Sequence, residues 1–150
     1  MRILLAPDSF KEAASAEAIA QAMARGIKRG NPQAECWLMP LSDGGEGLTH
    51  ALVHATGGTL HDVETVDAVG RPIIAQFGFL GNKHTSCTAV VELASASGLE
   101  RVSPADRNAL VASTFGTGLL IRAAIDAGAD RIVLGLGAVS YTHLRAHETD

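Results

Sequence analysis

Short apolar runs alternate with helix-like repeats along the first part of the chain. The run RILLA at residues 2–6 stops at a proline, which is typical of a buried strand. In residues 15–29, isoleucine and methionine recur every four positions among good helix formers, and a glycine and a proline follow. The pattern predicts a helix there, then a strand at 35–40 and a second helix at about 46–56.

The rhythm changes in the middle of the chain. Strand-like runs at residues 59–66, 72–80 and 88–93 are separated by the turn sequences DAVGRP and GNKHTS, which predicts a small antiparallel or mixed sheet. A last helix at 117–127 leads to a strand at 131–137, the signature of a parallel crossover. The predicted fold class is therefore α/β.

Composition narrows the range of functions. The 150 residues fit one domain with a real core, and a net charge of -4 provides no basic field for nucleic acid. No apolar run approaches the ~20 residues of a membrane-spanning helix, and the apolar stretch before Pro7 is too short for the apolar region of a signal peptide. Cys36 and Cys87 are isolated, as expected in a reducing compartment. We expect a cytoplasmic protein whose partners are small molecules.

The sequence APDSFK directly follows the first predicted strand. One interpretation is structural: Asp8 or Ser9 caps the following segment, with Glu12 as the capping-box partner of Ser9. The other is functional: Asp8 binds a metal or accepts a hydroxyl proton, and Lys11 binds a phosphate. The residues alone leave both open.

The sequence SDGGEG follows the second predicted strand. Asp43 and Glu46 fit a capping box, but a capping box does not require Gly44, Gly45 and Gly47. Glycines let backbone amides approach a ligand, and the helix that follows offers its N-terminus to an anion. An acidic residue beside a phosphate indicates a bridging Mg²⁺. The stretch favours a phosphate site over a purely structural turn.

Other motifs are weaker. FGTGLLI at 115–121 lacks the third glycine of a dinucleotide fingerprint, and GLG at 135–137 ends the last predicted strand. The chain contains no Walker A motif, so a kinase of this sequence is not a P-loop kinase. His50 and His54 are interpreted as an exposed pair rather than a metal site.

Four blocks together resemble the N-terminal part of the bacterial type-1 glycerate kinases: ILLAPDSFKEAASAEAIAQAMARGI, PLSDGGEG, GLERVSPADRNALVASTFGTG and AGADRIVLGLG. The resemblance implies ATP- and Mg²⁺-dependent phosphorylation of D-glycerate to 2- or 3-phosphoglycerate. It also implies a restriction-endonuclease-like α/β domain, begun by residues 1–75, with an inserted flavodoxin-like α/β domain begun by residues 76–138. The oligomeric state stays open.

Two family motifs fall on this sequence position by position, at residues 7–11 and 43–47. The resemblance implies that one of the two aspartates accepts the glycerate proton or holds Mg²⁺, without saying which. The implied catalytic residues are Asp8, Lys11 and Asp43, and the implied substrate- or phosphate-binding residues are Ser9, Gly44, Gly45, Glu46 and Gly47.

The last twelve residues, VSYTHLRAHETD at 139–150, depart from the family, which continues with a glycine- and serine-rich loop. They have no apolar period, and they resemble the translation of a transposase-type sequencing adapter. We expect a non-native tail and an inactive N-terminal part of a kinase. The alternative is a stand-alone phosphate- or nucleotide-binding α/β module without catalysis.

Overall fold

The computed structural model describes residues 1–10, 13–81 and 86–137. The chain divides into two compact units, Met1–Asp43 and Gly44–Asp150, and each is described by itself. Both units mix helices with strands, so the predicted α/β class is confirmed.

The first unit has a β-α-β order, with β1 (Arg2–Leu5), α1 (Ala16–Gly30) and β2 (Glu35–Leu38). The two strands pair in parallel over their whole length. Ser15 begins the helix as its N-cap, since its Oγ accepts a hydrogen bond of 3.3 Å from the Ala18 N–H. The predicted elements are confirmed within two residues at each end.

The strands of the first unit are less buried than their apolar sequences suggest. Leu5 is buried, whereas Leu4 is 55% exposed and Trp37 is 53% exposed. The guanidinium of Arg2 pairs with Glu35 at 3.3 Å and lies 5.9 Å from the Trp37 ring centroid. The prediction of a buried first strand therefore holds for Leu5 but not for its neighbour Leu4.

The second unit opens with α2 (Leu48–Thr56) and contains four strands: β3 (Thr59–Val66), β4 (Pro72–Phe79), β5 (Thr88–Glu92) and β6 (Arg131–Gly135). They form one sheet in the order β3-β4-β5-β6. The first two pairs are antiparallel and β5 pairs with β6 in parallel. The predicted mixed sheet and parallel crossover are confirmed.

The crossover from β5 to β6 contains more structure than the sequence predicted. It holds α3 (Leu93–Ser97), short 3-10 helices at Leu99–Arg101 and Pro104–Asp106, and α4 (Phe115–Asp126). A five-residue helix of small residues has too few positions to show an apolar period, so α3 was not predicted.

The core of the second unit lies around β5, whose five residues are all buried. A buried valine or leucine contributes about 1.5–3 kcal/mol relative to an exposed one, so this strand stabilises the unit strongly. The residues of the main buried cluster are Ala75, Phe77, Ala89, Val91, Ala96, Leu120 and Ala124.

An ion-pair network fixes the turn between β3 and β4. The buried Asp67 carboxylate accepts hydrogen bonds from the N–H groups of Val69 and Arg71, both at 2.9 Å, and from the Arg71 Nε at 2.8 Å. Arg71 also pairs with Asp106 at 2.9 Å. Burial alone would raise the pKa of Asp67, but the bonds from Arg71 and Val69 outweigh it and hold the pKa below its ordinary value.

The finer domain assignment is not tested by this architecture. The predicted boundary between residues 75 and 76 lies within β4, while the two compact units divide after Asp43. The boundary between residues 75 and 76 stays a prediction.

Candidate active site

The loops that follow β1 and β2 run side by side. The Leu41 N–H donates a 3.0 Å hydrogen bond to the Pro7 carbonyl, so the parallel pairing continues beyond both strands. Asp8 comes one residue after this contact and Asp43 two residues after it. Both carboxylates therefore leave the same edge of the first unit, where open α/β sheets bind ligands.

Asp8 is exposed, and its Oδ1 accepts a 2.6 Å hydrogen bond from the Ser9 N–H. Phe10 and Ala14 then pair through a 2.9 Å backbone hydrogen bond. The cap of α1 is Ser15, so neither Asp8 nor Ser9 caps that helix. The structural interpretation of the APDSFK motif thus fails for α1, and Asp8 stays accessible.

Three sequence-based predictions concern residues outside those that the structure describes. They are the phosphate-binding role of Lys11, the capping role of Glu12 and the non-native character of residues 139–150. They stay predictions.

The glycine loop connects β2 to α2, and two of its glycines have left-handed backbones. Gly44 has φ of 100° and Gly47 has φ of 82°. A Cβ at either position would meet no heavy atom within 4 Å, so the backbone conformation rather than space requires glycine. Gly47 is the N-cap of α2, so the helix does not begin at Asp43, where the predicted capping box would place the N-cap. Asp43 is exposed and Glu46 is half-buried.

The end of β6 lies against this glycine loop. A Cβ on Gly135 would lie 2.6 Å from Leu48 Cδ2 and 2.8 Å from the Gly44 carbonyl oxygen. A Cβ on Gly137 would lie 3.0 Å from the Gly45 Cα. Two glycine motifs far apart in the sequence thus pack together at the carboxyl end of a parallel strand, the usual place for a ligand.

A buried carboxylate occupies the N-terminus of α2. Glu92, at the end of β5, is 6% exposed. It accepts a 3.2 Å hydrogen bond from the Gly47 N–H and a second hydrogen bond from the Thr49 N–H. The positive end of the helix dipole compensates its charge. Glu92 therefore accepts hydrogen bonds from two N–H groups at the N-terminus of α2, where the sequence predicted a site for an anion such as phosphate.

Sequence reasoning missed Glu92. The available signal was one charged residue at the end of the otherwise uncharged strand TAVVE, because a buried charge requires partners. The same helix turn holds the Thr49 hydroxyl, the one buried side-chain oxygen or nitrogen in the described part of the chain without a hydrogen-bond partner.

The FGTG motif is used for packing. A Cβ on Gly116 would lie 1.9 Å from the Val66 carbonyl oxygen, and the Gly116 carbonyl accepts a 2.9 Å hydrogen bond from the Thr65 hydroxyl. The hydroxyl of Thr117 is buried and lies 2.8 Å from that of Ser97. The start of α4 is thus fixed to β3 and α3, and the motif does not form an open ligand loop.

A pocket of about 460 Å³ opens beside the N-terminal turn of α2, and we call it the α2 pocket. Within it, His50 Nε2 lies 3.0 Å from Gln76 Oε1, and Gln76 Nε2 donates a 2.6 Å hydrogen bond to Asp62. His50 and His54 are both exposed, as predicted. The lining residues are Glu46, Gly47, Thr49, His50, Asp62, Ile74, Ala75, Gln76, Glu92, Ala94, Ser95, Glu100 and Arg101.

Comparison with known proteins gives the family. The model of the glycerate kinase family matches residues 3–143. The chain belongs to the glycerate kinase family. It is 46% identical over 137 residues to the glycerate kinase of Bacillus subtilis (strain 168), a match that covers 91% of this chain and 35% of the relative. It is 39% identical over 137 residues to the glycerate 2-kinase of Escherichia coli (strain K12), with the same coverage.

A solved structure agrees with the family. The crystal structure described as that of "putative glycerate kinase 2" from Salmonella typhimurium LT2 matches with a TM-score of 0.68 and 43% identity. That match covers 91% of this chain and 36% of the solved chain. The chain thus spans about a third of the length of the curated glycerate kinases that it matches.

The acidic residues of this family member suit a magnesium ion that arrives with phosphates. No group of three or more His, Cys, Asp or Glu within residues 1–10, 13–81 and 86–137 is arranged to hold a metal ion. Mg²⁺ commonly takes only one or two protein carboxylates and completes its shell with waters and substrate phosphates. Asp8 and Asp43, exposed on one edge, fit that donor set.

None of the described helices is long and apolar enough to cross a bilayer.

Proposed function

We propose that the full-length protein transfers the γ-phosphoryl group of ATP to a hydroxyl of D-glycerate and forms 2- or 3-phosphoglycerate. The observation that carries the proposal is the packing of Gly44 and Gly45 against Gly135 and Gly137 in a member of the glycerate kinase family. Glycine backbones at the carboxyl end of a parallel strand support a phosphate site. We also propose that the full-length protein is cytoplasmic and that it contains a restriction-endonuclease-like domain and a flavodoxin-like domain.

The acidic residues have the roles of base and metal ligand. Asp8 and Asp43 are exposed at one edge of the first unit, and one of the two carboxylates would accept the glycerate hydroxyl proton. The other would hold Mg²⁺, which when bound neutralises charge on the phosphates. Ser9 would bind substrate or phosphate, and its N–H group donates a hydrogen bond to the neighbouring Asp8 carboxylate.

The remaining residues bind the transferred group. Lys11 would neutralise the phosphoryl oxygens, and the amides of Gly44 and Gly45 would cradle them. The Gly47 N–H donates a hydrogen bond to Glu92. A phosphate bound to Gly47 therefore shares that donor with the Glu92 carboxylate. Glu46, which lines the α2 pocket, would contact the substrate rather than the phosphate.

The test uses the full-length glycerate kinase of Bacillus subtilis with its matching segment replaced by residues 3–137 of this chain. ADP release is followed with a coupled assay in the presence of D-glycerate, ATP and Mg²⁺. We expect turnover by this hybrid. Asp43→Asn and Lys11→Ala should each lower kcat by about 10²–10⁴-fold, the usual range for losing a general base or an electrostatic clamp.

Asp126→Asn is the matched control, because Asp126 is an exposed carboxylate on α4 that pairs with Arg122. It should leave kcat unchanged. Unchanged rates in both Asp43→Asn and Lys11→Ala would overturn the site assignment. Saturable ATP binding by a folded hybrid without any ADP release would favour the alternative of a binding module without catalysis.

A further inference from the structure

The walls of the α2 pocket are organised around Gln76 on β4. Its backbone N–H donates to the Ser95 Oγ at 3.2 Å, and the Ser95 hydroxyl donates to its carbonyl at 3.2 Å. Its side-chain Oε1 lies 3.0 Å from His50 Nε2, and its Nε2 donates a 2.6 Å hydrogen bond to Asp62 Oδ1. Residues from α2 and β3 therefore orient the side-chain amide of Gln76, and Ser95 of α3 anchors its backbone, as a preformed recognition site requires.

The charge of the pocket selects the chemistry of its ligand. Four carboxylates line it, against the single guanidinium of Arg101 and the imidazole of His50. Ionised carboxylates only accept hydrogen bonds, so the pocket matches a ligand that donates them. Hydroxyl groups donate such hydrogen bonds without adding negative charge. The carboxylates are Glu46, Asp62, Glu92 and Glu100.

The size of the pocket fits a small ligand. Its volume of about 460 Å³ lies within the range of about 300–1,000 Å³ that is typical of small-molecule sites. Its apolar lining residues are Ile74, Ala75 and Ala94, on the sheet side and α3. The polar groups beside them would fix the orientation of a bound molecule.

We propose that the α2 pocket binds a vicinal diol, with Gln76 and Asp62 as its hydroxyl-recognising groups. This inference rests on the proposed function, in which two substrates carry adjacent hydroxyls: D-glycerate itself and the ribose of ATP. Acidic side chains recognise ribose hydroxyls in other nucleotide sites by the same chemistry. The structure assigns the diol chemistry, and the experiment separates its two sources.

The experiment is a titration of the 150-residue chain followed by NMR chemical shifts of the backbone amides. D-glycerate is compared with D-lactate, which lacks the terminal hydroxyl. Adenosine is compared with 2′,3′-dideoxyadenosine, which lacks both ribose hydroxyls. In one of the two pairs we expect saturable shifts at Gln76 and Ser95, with affinity about tenfold or more weaker for the deoxy compound, because the pocket groups are left unpaired.

Gln76→Met removes the amide at similar size, and Gln21→Met on α1 is the matched control, since Gln21 is exposed and its side chain bonds to Glu17 on the same helix. Gln76→Met should weaken the diol ligand about tenfold and leave the deoxy compound unaffected, while Gln21→Met changes neither. If Gln76→Met unfolds, the comparison of diol and deoxy ligands on the unmodified chain decides alone.

Equal affinity of diol and deoxy compounds in both pairs, or saturable shifts that avoid the pocket, would overturn the proposal. An effect of Arg101→Ala on D-glycerate with none of Gln76→Met would also overturn it, because the ligand would then be held through its carboxylate. These outcomes are independent of the kinase assay. A hybrid that turns over while the pocket ignores diols disproves this inference alone, and a pocket that binds a diol in an inactive hybrid disproves only the proposed function.

Discussion

β1 of the first unit and β5 of the second are both short apolar strands with parallel partners, yet their surroundings are opposite. Leu4 in β1 is 55% exposed, whereas Val90 in β5 is fully buried at 0%. β5 lies between β4 and β6, with α4 packed against the sheet, while β1 pairs only with β2 among the described strands. An apolar run therefore predicts a strand, but the strands and helices that pack against it decide whether the strand is buried in the core.

The largest expected effect tests the difference in burial between β1 and β5. Val90→Ala should lower the free energy of unfolding of the second unit by about 2–3 kcal/mol, because it removes buried methyl groups and leaves a cavity. Leu4→Ala should cost less than about 0.5 kcal/mol. Urea denaturation followed by far-ultraviolet circular dichroism measures both, and equal losses would contradict the contrast between the strands.

A second comparison uses two glycines of α4. Gly116→Ala should destabilise by about 2 kcal/mol, because the new Cβ would lie 1.9 Å from the Val66 carbonyl oxygen. Gly118→Ala meets nothing within 4 Å and should stabilise by about 0.5–1 kcal/mol through helix propensity. Thermal unfolding of the two variants is expected to show shifts of opposite sign. Shifts of the same sign would mean that FGTG is not a packing motif.

Glu92 connects the core strand to the glycine loop, so its removal tests that link. Glu92→Gln leaves one oxygen for the two N–H groups of Gly47 and Thr49 and should cost about 1–2 kcal/mol. Glu64→Gln on the exposed face of β3 is the control and should change stability by less than about 0.5 kcal/mol. Amide hydrogen exchange at Gly47 and Thr49 should accelerate only in Glu92→Gln. Unaltered exchange there would disprove the capping role.

The smallest effect concerns the turn between β3 and β4. Because the pKa of Asp67 is lower when folded, its stabilisation is present above the ordinary value near 4 and is lost as the pH falls through the folded value. Asp67→Asn should cost about 1 kcal/mol at pH 7, and that deficit should shrink below about pH 4. Urea midpoints between pH 7 and pH 3 measure it, and a deficit that is constant with pH would contradict the ion-pair account.

The strands and long helices were predictable because glycine, proline and turn residues separate them. β3, for example, occupies the predicted residues, Thr59–Val66. The start of α2 was predicted too early, since its N-cap is Gly47 and the distant Glu92 accepts hydrogen bonds from the N–H groups of Gly47 and Thr49. The contact between Gly135 and Gly44 joins segments that no local period connects. The features that local patterns did not predict, the start of α2 and the packing of the two glycine motifs, thus depend on residues that are distant in the sequence.

The central claim is transfer of a phosphoryl group to glycerate by the residues of the two loops. Its most direct test is ³¹P NMR of the Bacillus subtilis hybrid incubated with ATP, Mg²⁺ and D-glycerate. We predict a phosphoglycerate resonance that grows as the γ-phosphate signal of ATP declines, and loss of that resonance in Asp43→Asn. Release of inorganic phosphate without phosphoglycerate, or product formation that is unchanged in Asp43→Asn, would contradict the account.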